Sequence, residues 1–284
     1  MPRSRSFGVS TRLYHSQQLN RDHLREIGAA GFDAVELFAT RTHFDYQSNS
    51  AIADLQGWLA DARLELGSVH APVSESFAAG RWGALLNLAS ADTPKREHAV
   101  EEATCALQIA RRLPFRTFVV HTGVTRGEQQ APGENTRDAA RRSIEELAAA
   151  AKPLGVTIAV ELIANELSRA GSLVHFVEDV LDAGAASICL DLGHAQLEGD
   201  LVDIIETVSE HIALVHAHDN RGRNDDHLVP FDGTIDWASA ITALQKVGYD
   251  GTIVLEVTPQ GSTKDTLARA RTARGRMERL LTTL

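Results

Sequence analysis

Short apolar runs rich in β-branched residues recur along the chain and alternate with longer stretches of helical spacing. Continuous apolar runs of this kind are typical of strands in a parallel sheet that helices cover on its outer face. Eight runs are predicted as strands: Phe7–Ser10, Ala34–Phe38, Leu64–Val69, Thr117–Val120, Val156–Leu162, Ser187–Leu190, Ile212–Val215 and Thr252–Val257. The pattern therefore predicts an α/β protein.

A helix is predicted after each strand. The helical stretches are Arg21–Ala30, Ala51–Ala62, Lys95–Arg112, Thr136–Pro153, Leu173–Ala183, Leu201–Glu210, Trp237–Val247 and Thr266–Leu281. Glycine stands between a helix and the next strand, where a left-handed C-cap favours it, at Gly31, Gly155, Gly184 and Gly248. Eight strand–helix units in 284 residues favour a single (β/α)8 TIM barrel, covering residues 1–284, over an open doubly wound sheet.

Composition and charge narrow the class of protein further. With 43% hydrophobic and 23% charged residues, the chain is typical of a soluble globular protein. It has no signal-like apolar stretch at its start and no run of about 18 uncharged apolar residues, so a cytoplasmic protein without a membrane partner is expected. Cys105 and Cys189 fall in a predicted helix and a predicted strand, which indicates free thiols. A net charge of −10 argues against nucleic acid as a partner.

Histidines and acidic residues collect at the predicted strand ends. Six of the 12 histidines lie at or just beyond the C-terminal end of a strand: His70, His121, His194, His216, His218 and His227. Glu161, Asp191 and Glu256 close three of the strands, and Asp225 precedes the last of these histidines by two positions. In a TIM barrel all of these strand ends meet at one face, where catalytic groups are placed.

A carboxylate in an apolar strand needs a compensating charge, because burying it alone costs several kcal/mol. No lysine or arginine stands at the ends of the last six predicted strands. A divalent metal coordinated by imidazole and carboxylate would supply the missing charge. We therefore expect a metal site at the C-terminal face of the barrel.

Seven short motifs carry a family resemblance that extends over nearly the whole chain. They are SVHAP at 68–72, VVHTG at 119–123, AVEL at 159–162, CLDLGH at 189–194, VHAHDN at 215–220, DDHLVPFDGTIDW at 225–237 and VLEV at 254–257. In their order and strand-end placement they resemble the xylose isomerase-like barrel superfamily. This superfamily contains sugar phosphate isomerases and epimerases together with the endonuclease-IV-type enzymes of AP endonuclease family 2.

The resemblance implies a set of metal ligands as well as a fold. The metal site that isomerases and nucleases share corresponds to Glu161, Asp191, His216 and Glu256. The nucleases bind a second metal through the positions of Glu161, His70 and His121. Their third site corresponds to His194, Asp225 and His227. In single-metal isomerases several of these positions contact substrate hydroxyls instead, so the expected cofactor is between one and three ions of Mn²⁺, Zn²⁺, Co²⁺ or Mg²⁺.

Other residues are expected near a substrate. Glu36 ends the second predicted strand, His218 lies in the VHAHDN motif, and Arg169 follows the fifth strand. Each is a candidate for binding substrate, and Glu36 could instead support the metal ligands. Trp82 is on the predicted loop after the third strand, where it could either contact a bound sugar or form part of a homo-oligomer interface.

The leading hypothesis is a divalent-metal-dependent isomerase or epimerase of a sugar or sugar phosphate. Glu161 and Glu256 flank the expected metal, so one would remove a proton beside the carbonyl and the other would return it through an enediolate. Ala71-Pro72-Val73 stands where the nucleases carry an aromatic wedge that enters DNA, and GTIDW at 233–237 resembles the isomerase loop. Phe231-Asp232 departs from the glycine–acid pair expected there.

Three alternatives stay open. The full set of nine ligand-type residues also fits an endonuclease-IV-type phosphodiesterase that acts at abasic DNA sites with metal ions. Metal-dependent elimination on an oxidised sugar or glycoside needs the same stabilisation of an enolate. A catalytically silent binding barrel is the last alternative, and it would leave the intact ligand and acid–base set without a role.

Overall fold

Eight parallel strands close into a barrel in the computed structural model, which describes residues 6–125 and 133–283. The strands are β1 (Phe7–Ser10), β2 (Ala34–Phe38), β3 (Glu65–His70), β4 (Thr117–Val120), β5 (Thr157–Glu161), β6 (Ser187–Asp191), β7 (Ile212–Ala217) and β8 (Ile253–Leu255). β1 pairs with both β2 and β8, which closes the ring. The predicted (β/α)8 TIM barrel is thereby confirmed.

Helices cover the outside of the barrel. They are α1 (Arg21–Ala29), α2 (Asn49–Ala62), α3 (Thr93–Leu107), α4 (Arg137–Ala151), α5 (Ala170–His175), α6 (Leu192–Glu198), α7 (Leu201–Val208), α8 (Trp237–Lys246) and α9 (Thr263–Thr283). The glycines predicted at C-caps have positive φ, for example +87° at Gly31 and +74° at Gly248, which glycine adopts without steric cost. Across the two described ranges, no helix is long and apolar enough to cross a membrane.

The helices depart from the predicted elements in two places. Helix α6 is absent from the prediction because its seven residues are too few to show a helical period. It begins where the Asp191 carboxylate accepts a hydrogen bond from the His194 amide at 2.7 Å. The predicted helix Leu173–Ala183 is instead α5 followed by a π-helical turn, Phe176–Val180. The prediction of free thiols holds for both cysteines.

A small apolar cluster fills the interior of the barrel and is separate from the larger core beneath the helices. Side chains alternate along a strand, so residues two positions apart face the same side. The interior cluster consists of Val119, Ala159, Cys189, Leu214 and Val254. The residues two positions later, in or directly after each strand, are His121, Glu161, Asp191, His216 and Glu256. The pleat that buries the apolar cluster therefore directs these polar side chains into the C-terminal mouth of the barrel.

A two-stranded hairpin stands beside this mouth. Phe77–Ala78 pairs with Arg81–Trp82, and the two intervening residues have φ values of 50° and 73°, as a type I′ turn requires. The His15 ring stacks on the Trp82 ring with a centroid distance of 5.5 Å. This contact ties the hairpin to the segment after β1 and holds the Trp82 indole at the mouth of the barrel.

Candidate metal centre

Four side chains at the C-terminal ends of β5 to β8 converge inside the mouth of the barrel. One ligand atom from each lies within 4.8 Å of the others, and all four residues, hereafter the central cluster, are buried: Glu161, Asp191, His216 and Glu256. His216 Nδ1 is 3.3 Å from Glu161 Oε1 and 3.8 Å from Glu256 Oε2. The structure thus brings together the four residues that the sequence assigns to a shared metal site.

The central cluster fits a divalent cation. Asp191 Oδ2 and Glu256 Oε1 are buried without a hydrogen-bond partner, and an unpaired buried carboxylate oxygen is costly. One imidazole and three carboxylates form a mixed set of nitrogen and oxygen donors that suits Mn²⁺, Zn²⁺, Co²⁺ or Mg²⁺. A cation in contact with these two oxygens would compensate both the missing partners and the excess negative charge.

Glu36 lies behind His216 and fixes the orientation of its ring. Glu36 Oε2 is 2.9 Å from His216 Nε2 and accepts a hydrogen bond from Ser68 Oγ at 2.8 Å. The pairing of β2 with β3 shifts register immediately before Glu36, and such irregularities re-aim a side chain. With the proton on Nε2, the ring presents its Nδ1 lone pair to the central cluster. Glu36 is therefore placed to support a metal ligand, which is one of the two roles expected for it.

Glu36→Gln should weaken Mn²⁺ binding by roughly tenfold, because loss of the carboxylate charge makes His216 a poorer ligand. The affinity would be measured by isothermal titration calorimetry on protein stripped of metal. Glu65→Gln is a matched control, since Glu65 is exposed on the neighbouring strand β3. Equal Mn²⁺ affinities in the two variants would contradict the supporting role of Glu36.

Glu161 faces a pair of histidines through its second carboxylate oxygen, the one that does not contact His216. Glu161 Oε2 lies 3.1 Å from His70 Nε2 and 2.9 Å from His121 Nε2, so the second predicted ligand group is also brought together. Burial raises the pKa of the Glu161 carboxyl, but the charges of His121 and His216 outweigh this effect and hold the pKa well below its ordinary value. The ionised carboxylate of Glu161 therefore bridges the central cluster and the histidine pair.

A third cluster of ligand atoms within 4.8 Å contains His194, His218, Asp225 and His227. Asp225 Oδ2 lies 3.2 Å from His194 Nε2 and 3.1 Å from His227 Nε2. Nδ1 of each of these two histidines faces a backbone carbonyl at 2.9 Å, which leaves Nε2 as the ligand atom. His218 is an addition to the predicted group. Its ring stacks on that of His227 at 4.0 Å, and its Nε2 lies 2.9 Å from Asp191 Oδ1, so it joins the third cluster to the central one.

The buried carboxylate of Asp219 anchors the loop that carries Asp225 and His227. It accepts hydrogen bonds from the amides of Asn220, Phe231 and Ile235 and from the indole Nε1–H of Trp237. Gly233 is required beside it, since a Cβ at that position would lie 2.3 Å from Asp219 Oδ1. Asp219 escapes sequence prediction, although its place directly after the strand-end histidines is a signal that could have found it.

Phe231, in the same loop, occupies a backbone conformation that favours glycine. Its φ of 76° lies in the left-handed region, at a position where the family resemblance leads us to expect a glycine–acid pair. The Arg276 guanidinium lies 3.7 Å from the centre of the Phe231 ring, and the Trp237 ring centre is 5.6 Å away. These side-chain contacts stabilise a loop conformation that the backbone alone disfavours.

The ligand clusters open into a cavity of about 180 Å³ at the mouth of the barrel. Glu161, Asp225 and Glu256 line the cavity, together with Trp82 of the hairpin. The volume is small beside the roughly 300–1,000 Å³ of pockets that bind drug-sized ligands. The cavity therefore suits a small polar molecule.

Arg12 is a cavity residue that the strand-end pattern misses. It lies in a 3₁₀ turn, Thr11–Tyr14, directly after β1 and lines the cavity, with Nη1 3.7 Å from Glu256 Oε1. The ends of the last six predicted strands carry no basic residue, and the sequence therefore predicts no basic side chain near the carboxylates. Arg12 comes from the turn after the first strand, β1, and partly compensates the charge of Glu256. Burial raises the pKa of the Glu256 carboxyl, but Arg12, followed by His216 and His227, lowers it below its ordinary value. The available signal was an arginine two positions past the end of β1.

Arg169 stands apart from the cavity. It forms an ion pair with Glu166 Oε1 at 3.2 Å, and its side chain is 46% exposed. Among the residues that the structure describes, it is not one of those that line the cavity. The structure thus gathers the other predicted site residues at the mouth of the barrel and leaves Arg169 on the surface.

Comparisons with known proteins agree with this architecture. Residues 24–279 match the family described as xylose isomerase-like TIM barrel. An uncharacterized protein from Methanocaldococcus jannaschii is 30% identical over 257 residues, which cover 88% of this chain and 83% of that protein. The 2-oxo-tetronate isomerase from Pectobacterium atrosepticum is 29% identical over 205 residues, which cover 69% of this chain and 72% of that enzyme. The crystal structure of a D-tagatose 3-epimerase-like protein has a TM-score of 0.80 at 26% identity, with 98% of both chains covered. Because the family match extends over most of its length, the chain belongs to the xylose isomerase-like TIM barrel family.

Proposed function

We propose that the protein is a divalent-metal-dependent isomerase or epimerase of a small sugar or sugar derivative. The observation that carries the proposal is that two glutamates, Glu161 and Glu256, belong to the same cluster and both line the cavity. Two carboxylates in one small cavity suit the transfer of a proton from carbon and back to carbon. The relative named as a 2-oxo-tetronate isomerase and the structure named as epimerase-like support the same class of reaction.

The reaction is a proton transfer without net oxidation. One carboxylate removes the proton from the hydroxyl-bearing carbon next to the carbonyl, and the electron pair of that C–H bond moves toward the carbonyl oxygen to give an enediolate. The other carboxylate first takes up a proton from solvent and then delivers it, to the former carbonyl carbon in isomerisation or to the opposite face of the same carbon in epimerisation. The first carboxyl afterwards releases the abstracted proton to solvent, so both glutamates return to their ionised state. In isomerisation a further proton passes between the two substrate oxygens.

The side chains of the cavity have distinct roles in this scheme. A divalent cation, held by the central cluster, would supply Lewis acidity to the oxyanion that develops between the two proton transfers. The lowered pKa values of Glu161 and Glu256 keep both carboxylates ionised and able to accept a proton. The cavity-lining imidazoles are placed to form hydrogen bonds with substrate hydroxyls: they belong to His121, His194 and His227.

Incubation of the metal-loaded protein with ketoses in D₂O should place deuterium on the carbon beside the carbonyl, because the abstracted proton exchanges with solvent while a carboxylate holds it. NMR would follow the incorporation of deuterium and the appearance of an isomer or epimer. The product must be assayed as well, since a proton shielded by one glutamate can return without exchange. Neither exchange nor a new product across ketoses, ketose phosphates and sugar acids would contradict the proposal.

A metal-dependent phosphodiesterase acting at abasic DNA sites is the second candidate, and the three adjoining ligand clusters favour it. Clustered cations can activate water and stabilise a leaving oxygen. However, a net charge of −10 gives little drive from counterion release, and Ala71-Pro72-Val73 offers no aromatic wedge for DNA. Metal-dependent nicking of abasic-site DNA in the absence of any sugar turnover would favour this candidate over the first.

A further inference from the structure

The Arg12 guanidinium is held in the cavity without being fully paired. Its side chain is 18% exposed, and its Nε is buried with no hydrogen-bond partner. The 3.7 Å between its Nη1 and Glu256 Oε1 exceeds the roughly 2.7–3.2 Å of a good hydrogen bond. The Phe38 ring, whose centre is 5.2 Å from the guanidinium carbon, offers a stacking surface and no oxygen. Because a guanidinium has five N–H donors, donors are left for a ligand.

Arg12 also brings a permanent positive charge to the cavity wall, because a guanidinium is not deprotonated in proteins. Within residues 6–125 and 133–283, no other arginine and no lysine lines the cavity, whereas Glu161, Asp225 and Glu256 all do. These carboxylates would repel an anionic substrate unless a cation faced it. A planar carboxylate, which accepts two parallel N–H donors, is the best partner for a guanidinium.

We propose that Arg12 binds a carboxylate attached to the reacting carbonyl carbon, so that the substrate is a hydroxylated 2-oxo acid. This inference rests on the proposed isomerase or epimerase function and specifies its substrate class. Because Arg12 lies beside Glu256, which transfers the proton, the anion that it binds lies within a bond or two of the reacting carbons. A terminal phosphate on a five-carbon sugar would lie several C–C bonds of about 1.5 Å farther away.

Three probes with one hydroxyketone skeleton separate the substrate classes. Hydroxypyruvate carries a carboxylate, dihydroxyacetone no charge, and dihydroxyacetone phosphate a phosphate at the same end of the molecule. In the D₂O exchange assay, kcat/KM should be roughly 100-fold higher for hydroxypyruvate than for dihydroxyacetone, as expected when one substrate fills a desolvated charge pair. The phosphate probe distinguishes recognition of a carboxylate from recognition of any anion.

Arg12→Met should remove the preference for hydroxypyruvate, chiefly by raising KM. Arg12→Lys should keep part of it, since lysine retains the charge but lacks the planar pair of donors. Arg142→Met is a matched control, because Arg142 lies on α4 and pairs with Asp138 Oδ2 at 2.8 Å, and its kcat/KM should equal that of the wild type. Thermal denaturation would verify that each variant is folded.

Equal kcat/KM for hydroxypyruvate and dihydroxyacetone in the wild type would overturn the inference, and so would an Arg12-dependent preference for the phosphate. An equal loss with all three probes in Arg12→Met would also overturn it, because Arg12 would then act only through Glu256. If neither these probes nor the wider panel of ketoses, ketose phosphates and sugar acids reacts, the proposed function fails, and calorimetry still tests Arg12. Hydroxypyruvate should bind the metal-loaded wild type roughly 100-fold more tightly than Arg12→Met, and equal binding would refute the assignment.

Discussion

Glu161→Gln and Glu256→Gln should each lower kcat by roughly 10²- to 10⁴-fold while leaving the barrel folded. Glutamine keeps the size of the side chain but can neither accept the proton nor contribute the negative charge. The larger loss is expected for Glu161, since its carboxylate contacts His70, His121 and His216. Turnover would be measured by product formation on the substrate found in the exchange assay.

Two measurements make this result interpretable. Circular dichroism and metal content would be recorded for each variant, because a variant that is unfolded or empty of metal says nothing about proton transfer. Glu206→Gln, at an exposed position of α7, controls for the loss of one negative charge. Wild-type kcat in either cavity variant would remove that glutamate from the proposed proton-transfer pair.

Stripping the protein of divalent ions should abolish turnover and lower Tm by roughly 5–10 °C. Without a cation, the buried oxygens Asp191 Oδ2 and Glu256 Oε1 have no hydrogen-bond partner, and the three carboxylates of the central cluster repel one another. An ion present at 100 times its Kd stabilises the folded state by about 2.7 kcal/mol, and each kcal/mol shifts Tm by about 2–4 °C in a domain near this size. Calorimetric scans with and without EDTA would measure the change.

Adding back Mn²⁺, Co²⁺, Zn²⁺ or Mg²⁺ should restore both turnover and Tm, since mixed imidazole and carboxylate shells suit borderline-to-hard divalent ions. Potassium at the same ionic strength is the control, because it screens charge without coordinating imidazole. Full turnover in a preparation shown by elemental analysis to lack divalent ions would rule out the metal-dependent reaction.

The alternation of side chains explains why so much of the site can be predicted from the sequence. Once Val156–Leu162 is identified as a strand of a parallel barrel, the residues at its end must lie at the C-terminal mouth. The inward direction of Glu161 follows from the apolar residue two positions earlier, Ala159. The same reasoning applies to Asp191 and His216, and it needs no knowledge of tertiary contacts.

The residues and the pairings that escape prediction depend on contacts between distant parts of the chain. Arg12 reaches Glu256 from a 3₁₀ turn, and its position two residues past β1 does not by itself show that it pairs with a carboxylate at the end of β8. Glu36 and His216 are 180 positions apart, so their pairing appears only when the barrel has closed. Gly193 resembles an ordinary glycine of a helix start, yet a Cβ there would lie 2.0 Å from the His218 ring.

The distribution of the ligands over the closed barrel has a consequence for folding. The central cluster draws one residue from each of four successive strand ends, so no single strand–helix unit brings two of its ligands together. Contacts between such distant segments form only after the entropy of closing long loops has been overcome. The cation-binding geometry therefore requires that β5 to β8 pair in register, and an unfolded chain offers a metal ion no comparable set of ligands. Pairing of these four strands and assembly of the metal site are thus the same step of folding.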